Sequence, residues 1–139
     1  IETHAQRVAH LLALRDLQDE TQGFNCFIPL KFRAAHNPMG ERGEVSLLEV
    51  LRTYAVSRLV LDNIPHLKCY WPMLGKAHLP SALHYGVDDL DGTINNSTRI
   101  YSMAGAQDNS PSASVAELET LIRAEGYEPY ERDSLYRVV

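Results

Sequence analysis

The chain has 139 residues, 45% hydrophobic and 22% charged, with a formal net charge of −5, the composition of one ordinary globular domain. Its 13 Lys and Arg residues are scattered rather than gathered in a basic run, which argues against a nucleic-acid surface. No apolar stretch approaches the roughly 20 residues needed to span a bilayer. The chain opens on Ile1 without a signal-peptide pattern, and it reads as a fragment or a processed piece. The two cysteines, Cys26 and Cys69, each sit in an apolar run and read as structural thiols in a cytoplasmic protein.

The first predicted element is a helix over 3–20, where Ala5, Val8, Leu11, Leu12, Leu14 and Leu17 recur at helical spacing. Gln22-Gly23 ends it with a left-handed cap. A nearly continuous apolar run over 24–32 follows, as expected of a strand buried on both faces, with distortion near Pro29. Residues 33–45 carry Pro38, Gly40 and Gly43 and read as a long loop. Ser46 and Glu49 have capping-box spacing and open a helix over 46–61, stopped by Asp62-Asn63 and Pro65. A second strand is expected over 66–74, then a helix over 76–85 that Pro80 delays or kinks. A third strand covers 87–94. Residues 95–114 are polar and irregular, with a short helix suggested over 98–104. A second capping box, Ser114 with Glu117, opens the last helix over 114–125, and an extended tail fills 127–139.

Strands alternating with helices imply an α/β fold with a parallel sheet. Three such strands are too few for a closed barrel, which needs eight strands and about 250 residues. The residue pattern thus fits either half of a barrel or a small doubly wound sheet.

In both architectures the ligand lies beyond the carboxyl ends of the strands. That rule selects Pro29, Lys31 and Phe32; Tyr70, Trp71 and Met73; and Asp88, Asp89, Asp91 and Thr93. Lys31 is either a solvated cation or a ligand contact, and Trp71 is either core or a stacking surface. Strand alternation puts Asp89 and Asp91 on one face, where paired carboxylates suit acid/base work or polar recognition, with a cap or turn role equally open for Asp91; Asp88 lies on the other face, where a cap or turn role is favoured. No Walker motif, dinucleotide fingerprint, nucleophile elbow, paired C-x-x-C or H-E-x-x-H pattern occurs, and the sequence offers no metal-ligand set.

Longer strings are more specific. The segment 11–32, LLALRDLQDETQGFNCFIPLKF, together with Tyr54-Ala55-Val56-Ser57-Arg58-Leu59 and Leu61-Asp62-Asn63-Ile64-Pro65-His66, resembles the radical-SAM family that makes menaquinone and deazaflavin precursors. Ile1-Glu2-Thr3 is similar to the end of that family's Gly-His-x-Glu-Thr strand. Within the family, Tyr70-Trp71-Pro72-Met73-Leu74-Gly75, Asp88-Asp89-Leu90-Asp91-Gly92-Thr93 and Glu131-Arg132-Asp133-Ser134-Leu135-Tyr136 resemble the aminofutalosine synthases. Where relatives carry two glutamates after the Gly-Thr pair, this chain has Asn95-Asn96-Ser97-Thr98, and the C-x-x-x-C-x-x-C cluster motif is absent from it.

The resemblance implies the C-terminal half of a (β/α)8 TIM-type radical-SAM barrel. In the complete enzyme a [4Fe–4S] cluster would cleave S-adenosylmethionine to a 5′-deoxyadenosyl radical. That radical would add to 3-[(1-carboxyvinyl)oxy]benzoate on the futalosine route to menaquinone. Related members would be cyclic dehypoxanthine futalosine synthase and the deazaflavin-cofactor synthases. The resemblance places Glu2 near S-adenosylmethionine and puts Lys31, Tyr70, Trp71 and Asp91 on the substrate side; no residue is assigned as the catalytic group. Alone, the chain is expected to bind neither cofactor and to be inactive. Its expected partners are the N-terminal half of the same barrel or a second copy, since half a barrel exposes strand edges.

Overall fold

A computed structural model describes residues 2–91, 94–95 and 112–139. Helix α1, His4–Thr21, begins at a reciprocal cap: the Thr3 hydroxyl accepts from the Gln6 amide while the Gln6 side chain accepts from the Thr3 amide. It ends at Gln22, which takes the left-handed conformation at φ 49°. Buried Gln18 then stitches the helix to the sheet. Its amide donates to the carbonyls of Phe24 and Asn63 at 2.9 and 3.2 Å and accepts from the Phe24 amide at 2.8 Å.

Strand β1 is only Cys26–Phe27, much shorter than the apolar run 24–32 suggests. Pro29 lacks a ladder donor, and the chain leaves the sheet before reaching it. The loop that follows contains a single 3-10 turn at Gly40–Arg42. Helix α2, Leu47–Val60, starts at Ser46, whose hydroxyl accepts from the Glu49 amide at 3.2 Å. The Glu49 carboxylate does not return to complete a capping box there. It reaches α1 instead, 2.8 Å from His4 Nε2 and 3.2 Å from Arg7.

Strand β2 is His66–Cys69. The apolar run continues to Leu74, but Trp71–Leu74 forms a helical turn, α3, with Pro72 in its first turn, where the missing N–H costs nothing. A 3-10 turn, Lys76–His78, leads into α4, Leu79–His84, so the helix expected over 76–85 starts late, with Pro80 in its first turn. Gly86, at φ 97°, makes the turn out of α4. A Cβ there would lie 2.9 Å from Arg58 Cβ, closer than side chains tolerate. Strand β3 is Asp89–Leu90. Rather than prolonging it, Ile94–Asn95 (β4) pairs antiparallel with Ser112–Ala113 (β5). The helix expected over 98–104 falls outside the described residues. Helix α5, Val115–Ala124, opens on a complete capping box between Ser114 and Glu117.

The main sheet is parallel in the order β1-β2-β3, with Cys26 opposite His66 and Lys68 opposite Asp89. Alternation gives it two unlike faces. Leu67 and Cys69 enter the core with Leu51 and Tyr54 of α2, Leu79 and Ala82 of α4, and Trp71. His66 and Lys68 point the other way. The strand starts are tied to α2 by Arg58, which donates to the carbonyls of Gly86 and Pro65 and pairs with Asp88. Asp88 in turn accepts from the Leu67 amide at 2.7 Å and lies 2.7 Å from His66 Nδ1.

The tail is not extended. Arg132 and Val138 form an antiparallel bridge, and the chain reverses between them at Tyr136, φ 60°. The Asp133 carboxylate sets this turn by accepting from the amides of Leu135 and Arg137 and pairing with the Arg137 guanidinium. Among the described residues no helix is long and apolar enough to cross a membrane.

Candidate functional site

Tyr70 and Asp91 leave β2 and β3 at the same level, because Cys69 and Leu90 are paired directly before them. The Asp91 amide donates to the Cys69 carbonyl at 3.1 Å, so the chain carries Asp91 one residue beyond the ladder without losing its hydrogen bonding. Tyr70 is held by the turn it begins, its carbonyl accepting from the Met73 amide at 3.2 Å. Both residues are half-buried at the carboxyl end of the sheet.

Beneath them on the polar face stands Lys68, whose Nζ lies 3.5 Å from Asp89 Oδ2 and 3.8 Å from Asp91 Oδ1. Asp89 is 8% exposed and is the hub of this face. Both its oxygens accept from Arg132, at 3.0 and 2.7 Å, and one also accepts from the Tyr136 hydroxyl at 2.6 Å. A buried carboxylate needs such donors, since desolvation otherwise penalises its charge. Desolvation of the Tyr136 phenol, followed by its hydrogen bond to Asp89, holds the phenol well above its ordinary range, so it stays a donor.

Lys31 lies in the chain beyond β1, 3.8 Å from Glu44 Oε2. Arg33, buried in the same loop, has its Nε 3.6 Å from Glu44 Oε1. Burial, then the Arg33 charge, pulls the Lys31 ammonium below its usual range, and Glu44 opposes the shift. Lys31 and Arg33 thus share the Glu44 carboxylate.

Glu2 belongs to another cluster. Its carboxylate accepts from Arg7 Nε at 2.9 Å, and hydrogen bonding to backbone and to Arg7 lowers its pKa. Arg7 also donates to Thr53 at 2.9 Å. Arg7 and Thr53, together with His4, Glu49, Val8, Leu11 and Val56, border a cavity of about 250 Å³ between α1 and α2, whereas Glu2 is not part of its lining.

Of the five residues that the resemblance assigns to cofactor or substrate, then, Tyr70 and Asp91 come together, while Lys31 and Glu2 each have a separate acidic or basic partner. Trp71 departs from the strand-end position expected of it. It is the first residue of α3 and is 1% exposed, packed in the core behind the sheet. The helical turn at Pro72 rotates the indole inward. Lys68, Asp89, Arg132 and Tyr136 form a polar network on the same face of the sheet, reaching from Asp91 back towards the strand starts. In the sequence, the strand-end rule selects Asp89, whereas Arg132 and Tyr136 stand out only as part of the terminal string.

The two cysteines do not fit a cluster site. Cys69 is fully buried on the core face and accepts from the Tyr54 hydroxyl at 3.4 Å, whereas Cys26 lies at the start of β1. Among the described residues no group of three or more His, Cys, Asp or Glu could hold a metal ion. Burial pushes the Cys69 thiol from 9.0 up to about 11, with Asp91 adding to the rise and the Tyr54 hydrogen bond opposing it. A thiol whose folded pKa exceeds its unfolded one contributes stability that is complete below the unfolded value and lost as pH rises through the folded one. The expected outcome is a loss of about 2 kcal/mol between pH 9 and 11 that Cys69→Ala removes, read as the difference in pH slope of the urea midpoints. Equal slopes in the two proteins would contradict it.

The comparisons with known proteins agree on the class of molecule. The chain is 43% identical over 143 residues to the aminodeoxyfutalosine synthase of Thermus thermophilus, covering 100% of this chain and 38% of the relative. It is 39% identical over 135 residues to the cyclic dehypoxanthine futalosine synthase of Streptomyces coelicolor, covering 97% and 33%. It is also 38% identical over 146 residues to a 5-amino-6-(D-ribitylamino)uracil–L-tyrosine 4-hydroxyphenyl transferase of Methanosarcina barkeri, covering 100% and 38%. The chain thus spans 33% to 38% of the length of these curated relatives. The family model described as the CofH/MqnC C-terminal region matches residues 21–139, and the chain belongs to that family.

Proposed function

We propose that this chain is the C-terminal part of an aminodeoxyfutalosine synthase. The parent would be a radical-SAM enzyme that joins the 5′-deoxyadenosyl group of S-adenosylmethionine to 3-[(1-carboxyvinyl)oxy]benzoate on the way to menaquinone. The observation that carries this choice is the set of three strings, 70–75, 88–93 and 131–136, which resemble the synthase in order along the chain. The 43% identity to the Thermus enzyme agrees with it, although the cyclic synthase at 39% is nearly as similar.

In the parent, the parallel β1-β2-β3 unit would supply the last strands of a (β/α)8 barrel. The cluster, which with S-adenosylmethionine supplies the radical when bound, would be held by the portion of the parent that this chain does not span. Glu2 is assigned to the S-adenosylmethionine side. Asp91 and Tyr70 are assigned to the substrate wall, Lys31 to an anionic group of the substrate, and Trp71 to the packing that holds Tyr70 in place. The partner is the rest of the same barrel, which would cover the exposed Val8 and Leu12 of α1 and the edge of β1. A homodimer of half-barrels is the competing assembly.

The test is anaerobic turnover by the full-length parent, reconstituted and given S-adenosylmethionine. Three substrate sets are offered: 3-[(1-carboxyvinyl)oxy]benzoate, dehypoxanthine futalosine, and 5-amino-6-(D-ribitylamino)uracil with L-tyrosine. Consumption of the first alone is expected. Turnover of either other set alone would reassign the chain within its family. Asp91→Ala should lower kcat/KM on the order of 100-fold, as expected when a positioned polar group at a reacting site is lost. Wild-type turnover in that variant would remove Asp91 from the substrate wall.

A further inference from the structure

The terminal string Glu131-Arg132-Asp133-Ser134-Leu135-Tyr136 has work to do in the fold that no catalytic assignment uses. The segment closes on itself: Val139 N donates to the Glu131 carbonyl at 3.1 Å and Asp133 N to the Arg137 carbonyl at 2.9 Å. It then docks on the polar face of the sheet, towards the strand starts. The Tyr136 ring stacks on His66 with centroids 3.8 Å apart and planes 3° from parallel. Arg132 lies 4.5 Å over the same ring while it grips both oxygens of Asp89. Cys26, at the start of β1, adjoins the Tyr136 hydroxyl.

Asp89 therefore has partners on two sides. Arg132 and Tyr136 hold it from the tail, and Lys68 approaches it from the sheet while standing between it and Asp91. With the tail removed, Asp89 would lose the contacts that fix its position, and the carboxylate that holds the Lys68 ammonium beside Asp91 would open to solvent together with it. We propose that residues 131–139 are a clasp that closes the strand-start end of the polar face and, through Asp89, holds Lys68 in place beside Asp91 at the opposite end. Arg132 and Tyr136 are positioning residues in this arrangement. Whichever substrate the parent enzyme takes, the clasp is present, and it is read without turnover.

The experiment is pulsed chemical labelling of the full-length protein, with N-ethylmaleimide for thiols and acetic anhydride for lysines, followed by peptide mass mapping. In Arg132→Ala and in Tyr136→Ala, alkylation of Cys26 and acetylation of Lys68 should each rise ~10-fold or more, as local opening replaces protection. Cys69, deep on the other face, should label at its wild-type rate. Arg132→Lys, which keeps a cation against Asp89, should restore most of the protection of Lys68. Should Arg132→Ala fail to fold, Tyr136→Phe keeps the stack on His66 and removes only the hydroxyl, and it should still speed labelling of Cys26. Unchanged rates at Cys26 and Lys68 overturn the clasp. So does a parallel rise at Cys69 in every folded variant, which would make the segment a general stabiliser of the domain.

Discussion

Trp71→Ala should destabilise the protein by about 3–5 kcal/mol, the usual cost of emptying a buried aromatic site. The indole is 1% exposed and shares one core with Leu51 and Tyr54 of α2, Leu79 and Ala82 of α4, and Cys69 of β2. These neighbours come from three elements whose backbones are fixed by the sheet and by helix caps, so the cavity cannot collapse fully. Trp71→Phe keeps much of the volume and should recover roughly half of the loss. Denaturant midpoints for the three proteins give the comparison, with an unchanged slope showing that the unfolded reference is the same. A change below about 1 kcal/mol in Trp71→Ala would mean that the indole is not core, and it would reopen the reading of Trp71 as a surface that stacks on substrate. The prediction separates two roles that kinetics alone would confound, because a collapsed core also slows turnover.

How far the fold could be seen in the sequence depended on how local its cause was. Thr3, Ser46 and Ser114 cap their helices through bonds to residues three positions on, and such short-range chemistry is written in the string itself. Strand ends were harder. The apolar residues continue from Leu67 through Leu74, so hydrophobicity alone cannot show that the backbone turns helical at Trp71. Only Pro72 hinted at it. Glu49 carried the spacing of a capping box, yet two basic groups on α1 outcompeted the backbone amide for its carboxylate. The fold-back of the tail was least visible of all. The pair Asp89 and Arg132 joins residues far apart in sequence, and no periodicity records a contact of that kind. The same limit applies to the site. Asp91 and Tyr70 follow from the rule about strand ends, whereas Lys68 looked like an ordinary residue inside a strand until Asp89 and Asp91 were seen on either side of its ammonium.

Asp89→Ala is the second large effect, expected to cost about 3 kcal/mol, towards the lower end of the range for breaking a buried ion pair. The lower end applies because the cations left behind are not sealed from water: the Lys68 side chain is 14% exposed and that of Arg132 is 22% exposed. Most of the loss comes from the partners left uncompensated. Arg132 would lose both of its bonds to the carboxylate, the Tyr136 hydroxyl its acceptor, and Lys68 one of its two acids. Asp89→Asn retains an oxygen for Tyr136 and should cost about half as much, since the neutral amide still accepts one bond but cannot balance two cations. A double-mutant cycle isolates the pair. If the carboxylate and guanidinium act together, Arg132→Ala made on top of Asp89→Ala should cost at least about 1 kcal/mol less than it does alone. Strict additivity would show that Asp89 is held chiefly by Lys68 and Tyr136, and would reduce Arg132 to a surface charge resting on an aromatic ring. Coupling of the expected size would make the contact between the strings 88–93 and 131–136 a single energetic unit, so that neither could be exchanged without the other.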